Sequence, residues 1–206
     1  MKNRLIIALF YIVGLTFLSL GISLMILADL GAGPWDAMYV GLSEIIGFSV
    51  GSWVFIVGIL LILLNGIIMK KIPDFSAIIT IFTIGVLMDF WLLIVFSEFE
   101  TEDIAFRVFM LLAGIVIIAI GISSYLQSNF ARNPMDSLMM AIQFRTGKSL
   151  RFSKTSMELT VLVIAFIVGG PIGIGTVLST IAIGPLIQAF YSPITRFRKV
   201  LCKQSI

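Results

Sequence analysis

The residues able to do chemistry in this chain are few, and several sit in a repeated setting. Proline and aspartate recur as Pro34-x-Asp36 and as Pro134-x-Asp136. Each pair opens a short segment that a glycine closes, Gly47 in one and Gly147 in the other. Proline at the first helical position gives up no hydrogen bond. An aspartate two residues later lies close to the positive end of the helix dipole. Gly33 and Asn133 fall at the N-caps, and glycine suits a helix stop. Helix ends of this kind hold ions and polar groups when they face a cavity. Asp36, Asp136 and Asn133 are therefore predicted substrate contacts. Arg132 joins them as the counter-ion if the substrate is anionic. Asp89 and Gln188 fall inside apolar runs, where an ionisable or polar group marks a functional position by default. Structural roles compete at each place. The two helix aspartates can be caps, Arg132 a topology signal, and Asp89 a hydrogen-bonded group near the outer interface. Lys154 and Glu158 are spaced for an i,i+4 ion pair, which is the simpler account of Glu158.

The same inventory argues against an enzyme. Histidine is absent, and Cys202 is the single cysteine. Histidine metal sites, histidine bases and the usual triads are thereby excluded, as is an internal disulfide. No nucleophile–base pair can be assembled, and neither a cofactor nor a metal is expected. The run Gly169-Gly170-Pro171-Ile172-Gly173-Ile174-Gly175-Thr176 is glycine-rich but has no lysine after it, so it is not a phosphate loop. It reads as a tight helical hairpin in which Gly173 and Gly175 allow close approach and Thr176 caps the next helix.

These residues are carried by elements that composition identifies. Of 206 residues, 59% are apolar and 12% charged. Soluble domains average about 45–50% and about 25%. Mean hydropathy is +1.13. Such a chain cannot cover a water-facing shell, which excludes a soluble enzyme, a nucleic-acid binder and a secreted disulfide scaffold. Its partners are predicted to be the lipid bilayer and an unknown small molecule or ion, with no nucleic acid. A membrane helix needs about 20 apolar residues. Six stretches are read as spans: Leu5–Ala28, Val50–Met69, Phe75–Phe96, Ile104–Leu126, Thr155–Val168 with its flanks, and Ile172–Tyr191. With six spans, every Lys and Arg except Arg107 falls on one side, while Glu98, Glu100, Glu102 and Asp103 share a loop on the other. The positive-inside rule then places both termini in the cytoplasm. The basic C-terminal tail anchors the last helix, and anionic headgroups are a second use for it.

The halves of the chain repeat at an offset of 100 residues, with identity at seven of the 31 positions from 21 to 51. Gly21-Ile22-Ser23 matches Gly121-Ile122-Ser123, and Gly47-x-Ser49 matches Gly147-x-Ser149. Chance apolar similarity would not align prolines, aspartates and glycines. Three spans per half is an odd number, so the halves would enter the membrane from opposite sides. The expected fold is an all-α membrane domain over 1–206, with inverted repeats over 1–100 and 101–206. Each repeat carries a short Pro-x-Asp helix of about 18 Å, too short to cross. Two placements are open for it. One is an amphipathic helix on the membrane surface, and the other is a half-helix tucked against a central cavity. Gly14, Gly21, Gly114 and Gly121 recur at matching positions and should mark one helix-packing face.

The run Leu30-Gly-Ala-Gly-Pro-Trp-Asp36, with Gly47-x-Ser49-x-Gly51, Asn133-Pro-Met-Asp136, Gly173-Ile-Gly-Thr176 and Ile183-Gly-Pro185, resembles the YczE/YyaS/YitT family of bacterial membrane proteins. The similarity covers nearly the whole chain and is closest to the YczE branch. It implies a multi-pass bacterial inner-membrane protein of about six spans and no particular activity. The reading that best joins these features is a small transporter or permease. A non-transporting accessory protein that supports a biosynthetic or regulatory partner is the alternative.

Overall fold

The computed structural model describes residues 2–128, 130–131 and 133–203, and Arg132 lies outside that description. The described chain forms helices α1 (Lys2–Ala28), α2 (Pro34–Ile46), α3 (Val50–Met69), α4 (Ala77–Asp89), α5 (Ile104–Tyr125), α6 (Pro134–Thr146), α7 (Leu150–Ile167) and α8 (Ile174–Lys203). The six expected spans match six of these helices, and the two Pro-x-Asp segments are α2 and α6.

Five helical stretches among the described residues are long and apolar enough to cross a membrane: Asn3–Ala28, Val50–Met69, Ala77–Val95, Ile104–Ser128 and Ile174–Cys202. The fifth expected span, Thr155–Val168, does not meet that measure. It forms α7, whose early turns carry Arg151, Lys154 and Glu158. Another expected boundary also moves. The last helix does not stop at Tyr191 but continues to Lys203 through Pro185 and Pro193. Most of the expected basic tail is therefore helix. The Arg198 guanidinium donates to the Gln127 carbonyl in the turn just after α5 and docks this extension on the bundle.

The glycines expected to share a packing face do so. A Cβ on Gly21 would come within 2.7 Å of the Gly114 carbonyl, and one on Gly114 within 2.8 Å of the Gly21 carbonyl. A Cβ on Gly121 would lie 2.8 Å from the Gly14 carbonyl. These glycines let the antiparallel helices α1 and α5 touch backbone to backbone, the close approach that small residues permit in membranes. At one end of this crossing, Arg107 closes the pair. Its Nε donates to the Ala28 carbonyl at 2.7 Å, and its guanidinium pairs with the Asp29 carboxylate at 2.7 Å. The one basic residue expected on the acidic side thus caps the C-terminus of α1.

α4 passes into a π-helical run, Phe90–Val95, in which the Phe96 amide reaches the Trp91 carbonyl at 2.9 Å. Trp91 donates to Ser19 on α1 at 3.1 Å. α3 packs along α4, whereas α7 and α8 separate after their hairpin and have little contact. That separation leaves space inside the bundle.

Candidate functional site

The two short helices are built as their sequences imply. Both have proline in the first turn, and both end at glycines with positive φ, 91° at Gly47 and 68° at Gly147. Glycine adopts that backbone without a Cβ clash. Their N-termini differ. Asn133 accepts a hydrogen bond from the Met135 amide at 3.1 Å and caps α6. Gly33 supplies no side-chain cap to α2.

The N-terminal ends of α2 and α6 converge on one cavity of about 570 Å³ inside the bundle. Asp36, Asp136 and Asn133 all line it. Its wall continues to Lys154 and Glu158 on α7 and to Ser179, Thr180 and Tyr191 on α8. The space therefore lies where α7 and α8 part. Much of the remaining wall is aliphatic or methionine, including Met88, Met135, Met139, Met140 and Met157. This is the usual form of a small-molecule site: a mostly apolar hollow with a few placed polar groups.

The polar groups are in different states. The Tyr125 hydroxyl donates to the Asp136 carboxylate at 3.1 Å. Lys154 and Glu158 form the expected i,i+4 pair at 3.7 Å. Asp36 is half-buried and has neither an ion pair nor a hydrogen bond to its carboxylate among the described residues. One turn along α2, Tyr39 is 1% exposed and lines the same cavity, and its hydroxyl has no partner among the described residues.

Asp89 and Gln188 are not brought to this place. Asp89 instead ties the end of α4 to the start of α3. Its carboxylate accepts from Ser49 Oγ at 2.6 Å and from the Gly51 amide at 2.8 Å. Two donors at a helix N-terminus satisfy an acid inside an apolar run, so Asp89 is a cap. Gln188 is exposed on α8, outside the cavity lining. Arg132 cannot be placed, since it lies outside the described residues.

Thr176 has a somewhat different role from the expected one. α8 starts at Ile174, and the Thr176 hydroxyl accepts from the Gly173 amide at 3.1 Å. It reaches back from the third helical position, as in half of a capping box. Gly173 and Gly175 pack on the loop before α2: the Gly175 amide donates to the Leu30 carbonyl at 2.8 Å, and Ala32 donates to Pro171 at 3.0 Å. The hairpin thereby positions the start of α2.

Sequence reasoning missed Tyr39 and Tyr125 as site residues. Tyr39 had a usable signal, since i+3 spacing places it on the face of Asp36. Tyr125 had none, because its partner Asp136 lies beyond an intervening helix end.

Comparison with known proteins adds the family. Residues 5–192 match DUF6198, a family of unknown function. The chain belongs to this family. It is 38% identical to the uncharacterized protein YyaS of Bacillus subtilis over 186 residues, covering 90% of this chain and 92% of that protein. It is 36% identical to the uncharacterized membrane protein YczE of the same organism over 192 residues, covering 91% of this chain and 87% of YczE. An uncharacterized protein of Haemophilus influenzae is 27% identical over 188 residues, 88% of this chain and 82% of that protein. The expected resemblance to YczE and YyaS is thus correct. No solved structure matches. A DUF6198 chain with five strongly apolar helices is an integral membrane protein.

Proposed function

We propose that this protein is a small membrane transporter whose two halves are inverted repeats around the central cavity. The observation that carries the reading is the convergence of both Pro-x-Asp helices on that one cavity. Their packing supports the repeat. α2 of the first half seats on α7 of the second, and α6 of the second seats on α3 of the first. The glycine contacts exchange in the same way, with Gly21 on Gly114 and Gly14 on Gly121. Paired units joined by such exchanges can rock about a central site and expose it to alternate faces. In this reading α7 crosses the membrane as a sixth span, its charged start lying at the basic face.

In this reading both termini face the cytoplasm, as the positive-inside rule expects from the basic residues. Lys154 and Tyr191, which line the cavity, would then lie toward its cytoplasmic end. Toward the other face, the α7–α8 hairpin packs tightly on α2. A Cβ on Gly41 would be 2.7 Å from the Val168 side chain, and one on Gly170 would meet the Ala37 carbonyl.

Flux of a metabolite panel in proteoliposomes tests the function, with Asp36→Asn and Asp136→Asn beside the wild type. The reading expects a transported compound and slower flux in both variants. Full flux in both variants removes the aspartates from the mechanism. Absence of flux together with stable co-purification of a partner favours an accessory protein instead. Cys202, the single cysteine, tests orientation. A membrane-impermeant maleimide should label it only when the cytoplasmic face is open.

A further inference from the structure

The cavity also carries information about the charge of its ligand. Among the described lining residues the acids are Asp36, Asp136 and Glu158, and the base is Lys154. Lys154 and Glu158 pair with each other at 3.7 Å, and Asp136 receives the Tyr125 hydroxyl, so Asp36 sets the sign at its end of the cavity. Asp36 has no partner to its carboxylate among the described residues, and the buried Tyr39 hydroxyl beside it has none either. A buried polar group without a partner is destabilising, so its retention at a cavity wall points to a ligand that supplies the missing contact. The rest of the wall fits an apolar body. Methionines adapt to irregular apolar shapes, and Trp35 and Tyr125 add aromatic rings, which can attract a cation, to the wall.

We propose that the cavity binds a hydrophobic organic cation, with the Asp36 carboxylate as its counter-ion and the Tyr39 hydroxyl as a second polar contact. The assignment rests on reading this cavity as the transport site. A volume of about 570 Å³ is within the range of sites for drug-sized molecules. The apolar wall would hold the ligand body, and Asp36 would reject molecules of the wrong charge.

The test is equilibrium binding of radiolabelled tetraphenylphosphonium to the full-length protein in nanodiscs. Benzyltributylammonium serves as a cationic competitor and naphthalene sulfonate as an anionic one. We expect saturable binding that the ammonium displaces and the sulfonate does not. Asp36→Asn should weaken binding by about 30-fold, the loss expected when a buried charge pair is broken. Asp36→Glu should restore much of it, and Glu100→Gln, in the outer loop, should leave it intact. No saturable binding, equal displacement by the sulfonate, or full affinity in Asp36→Asn would overturn the assignment. If Asp36→Asn does not fold, the wild-type selectivity and the Asp36→Glu variant still decide. Cation binding without flux keeps this assignment and removes the transport reading. Asp36-dependent flux of an uncharged or anionic compound that cations do not inhibit removes the assignment and keeps transport.

Discussion

α2 and α6 descend from matching sequence and meet at one cavity, yet they hold their aspartates differently. α6 is capped by Asn133, and its Asp136 receives the Tyr125 hydroxyl. α2 has no side-chain cap, and no described residue bonds to its Asp36 carboxylate. Their surroundings differ too. α2 buries Ala37, Met38, Tyr39 and Gly41, while α6 ends in Gln143, Arg145 and Thr146 near its Gly147 stop. The two helices therefore share matching start and stop residues and differ in what surrounds them. One helix keeps a satisfied aspartate, and the other presents an unsatisfied one to the cavity.

The comparison can be broken first at the seat of α2. Gly41 lies against the Val168 carbonyl and side chain, whereas its repeat counterpart is Ala141. Gly41→Leu should destabilise the protein by about 3 kcal/mol, read as a lower melting temperature in detergent, since overpacked sites rarely relax fully. A melting temperature equal to wild type would mean that α2 is not seated there. Next comes Asp36→Asn, with its loss of about 30-fold in cation affinity. Asp136→Asn should lose less, because Tyr125 already satisfies that carboxylate. Equal losses would erase the distinction between the helices. Asp89→Ala should lower stability by about 2 kcal/mol through the loss of two hydrogen bonds to a charged acceptor. It should leave ligand affinity unchanged in the folded fraction, and altered affinity would return Asp89 to the site. Asn133→Ala is the mildest change. It should cost about 1 kcal/mol through the lost cap of α6, visible as a small shift in the melting curve.

Much of this arrangement was legible because membrane sequence is under simple constraints. Apolar run length located the helices, and glycine spacing located the α1–α5 crossing. Proline, aspartate and glycine at helix ends fixed the bounds of α2 and α6, since each residue type fits one terminal position. Depth was harder to read. α2 and α6 lean on α7 and α3 of the opposite half, and such non-local packing has no mark in a local window. Asp89 misled for a related reason. Its position within an apolar run signals a buried charge, but only the folded chain shows Ser49 and Gly51 brought to it from α3. The extent of α8 was hidden by Pro193, just past the expected end at Tyr191, since proline normally argues for a helix end. In membranes, proline is tolerated within helices when neighbouring groups satisfy the freed carbonyls.

If the cavity is a route for a ligand, Asp36 is its charged centre. Uptake of radiolabelled tetraphenylphosphonium into proteoliposomes tests this most directly, with wild-type protein, Asp36→Asn and empty vesicles compared. Uptake should be saturable in the wild type and fall near the rate of empty vesicles in Asp36→Asn. Equal uptake in all three preparations, with both proteins folded and inserted, would contradict it.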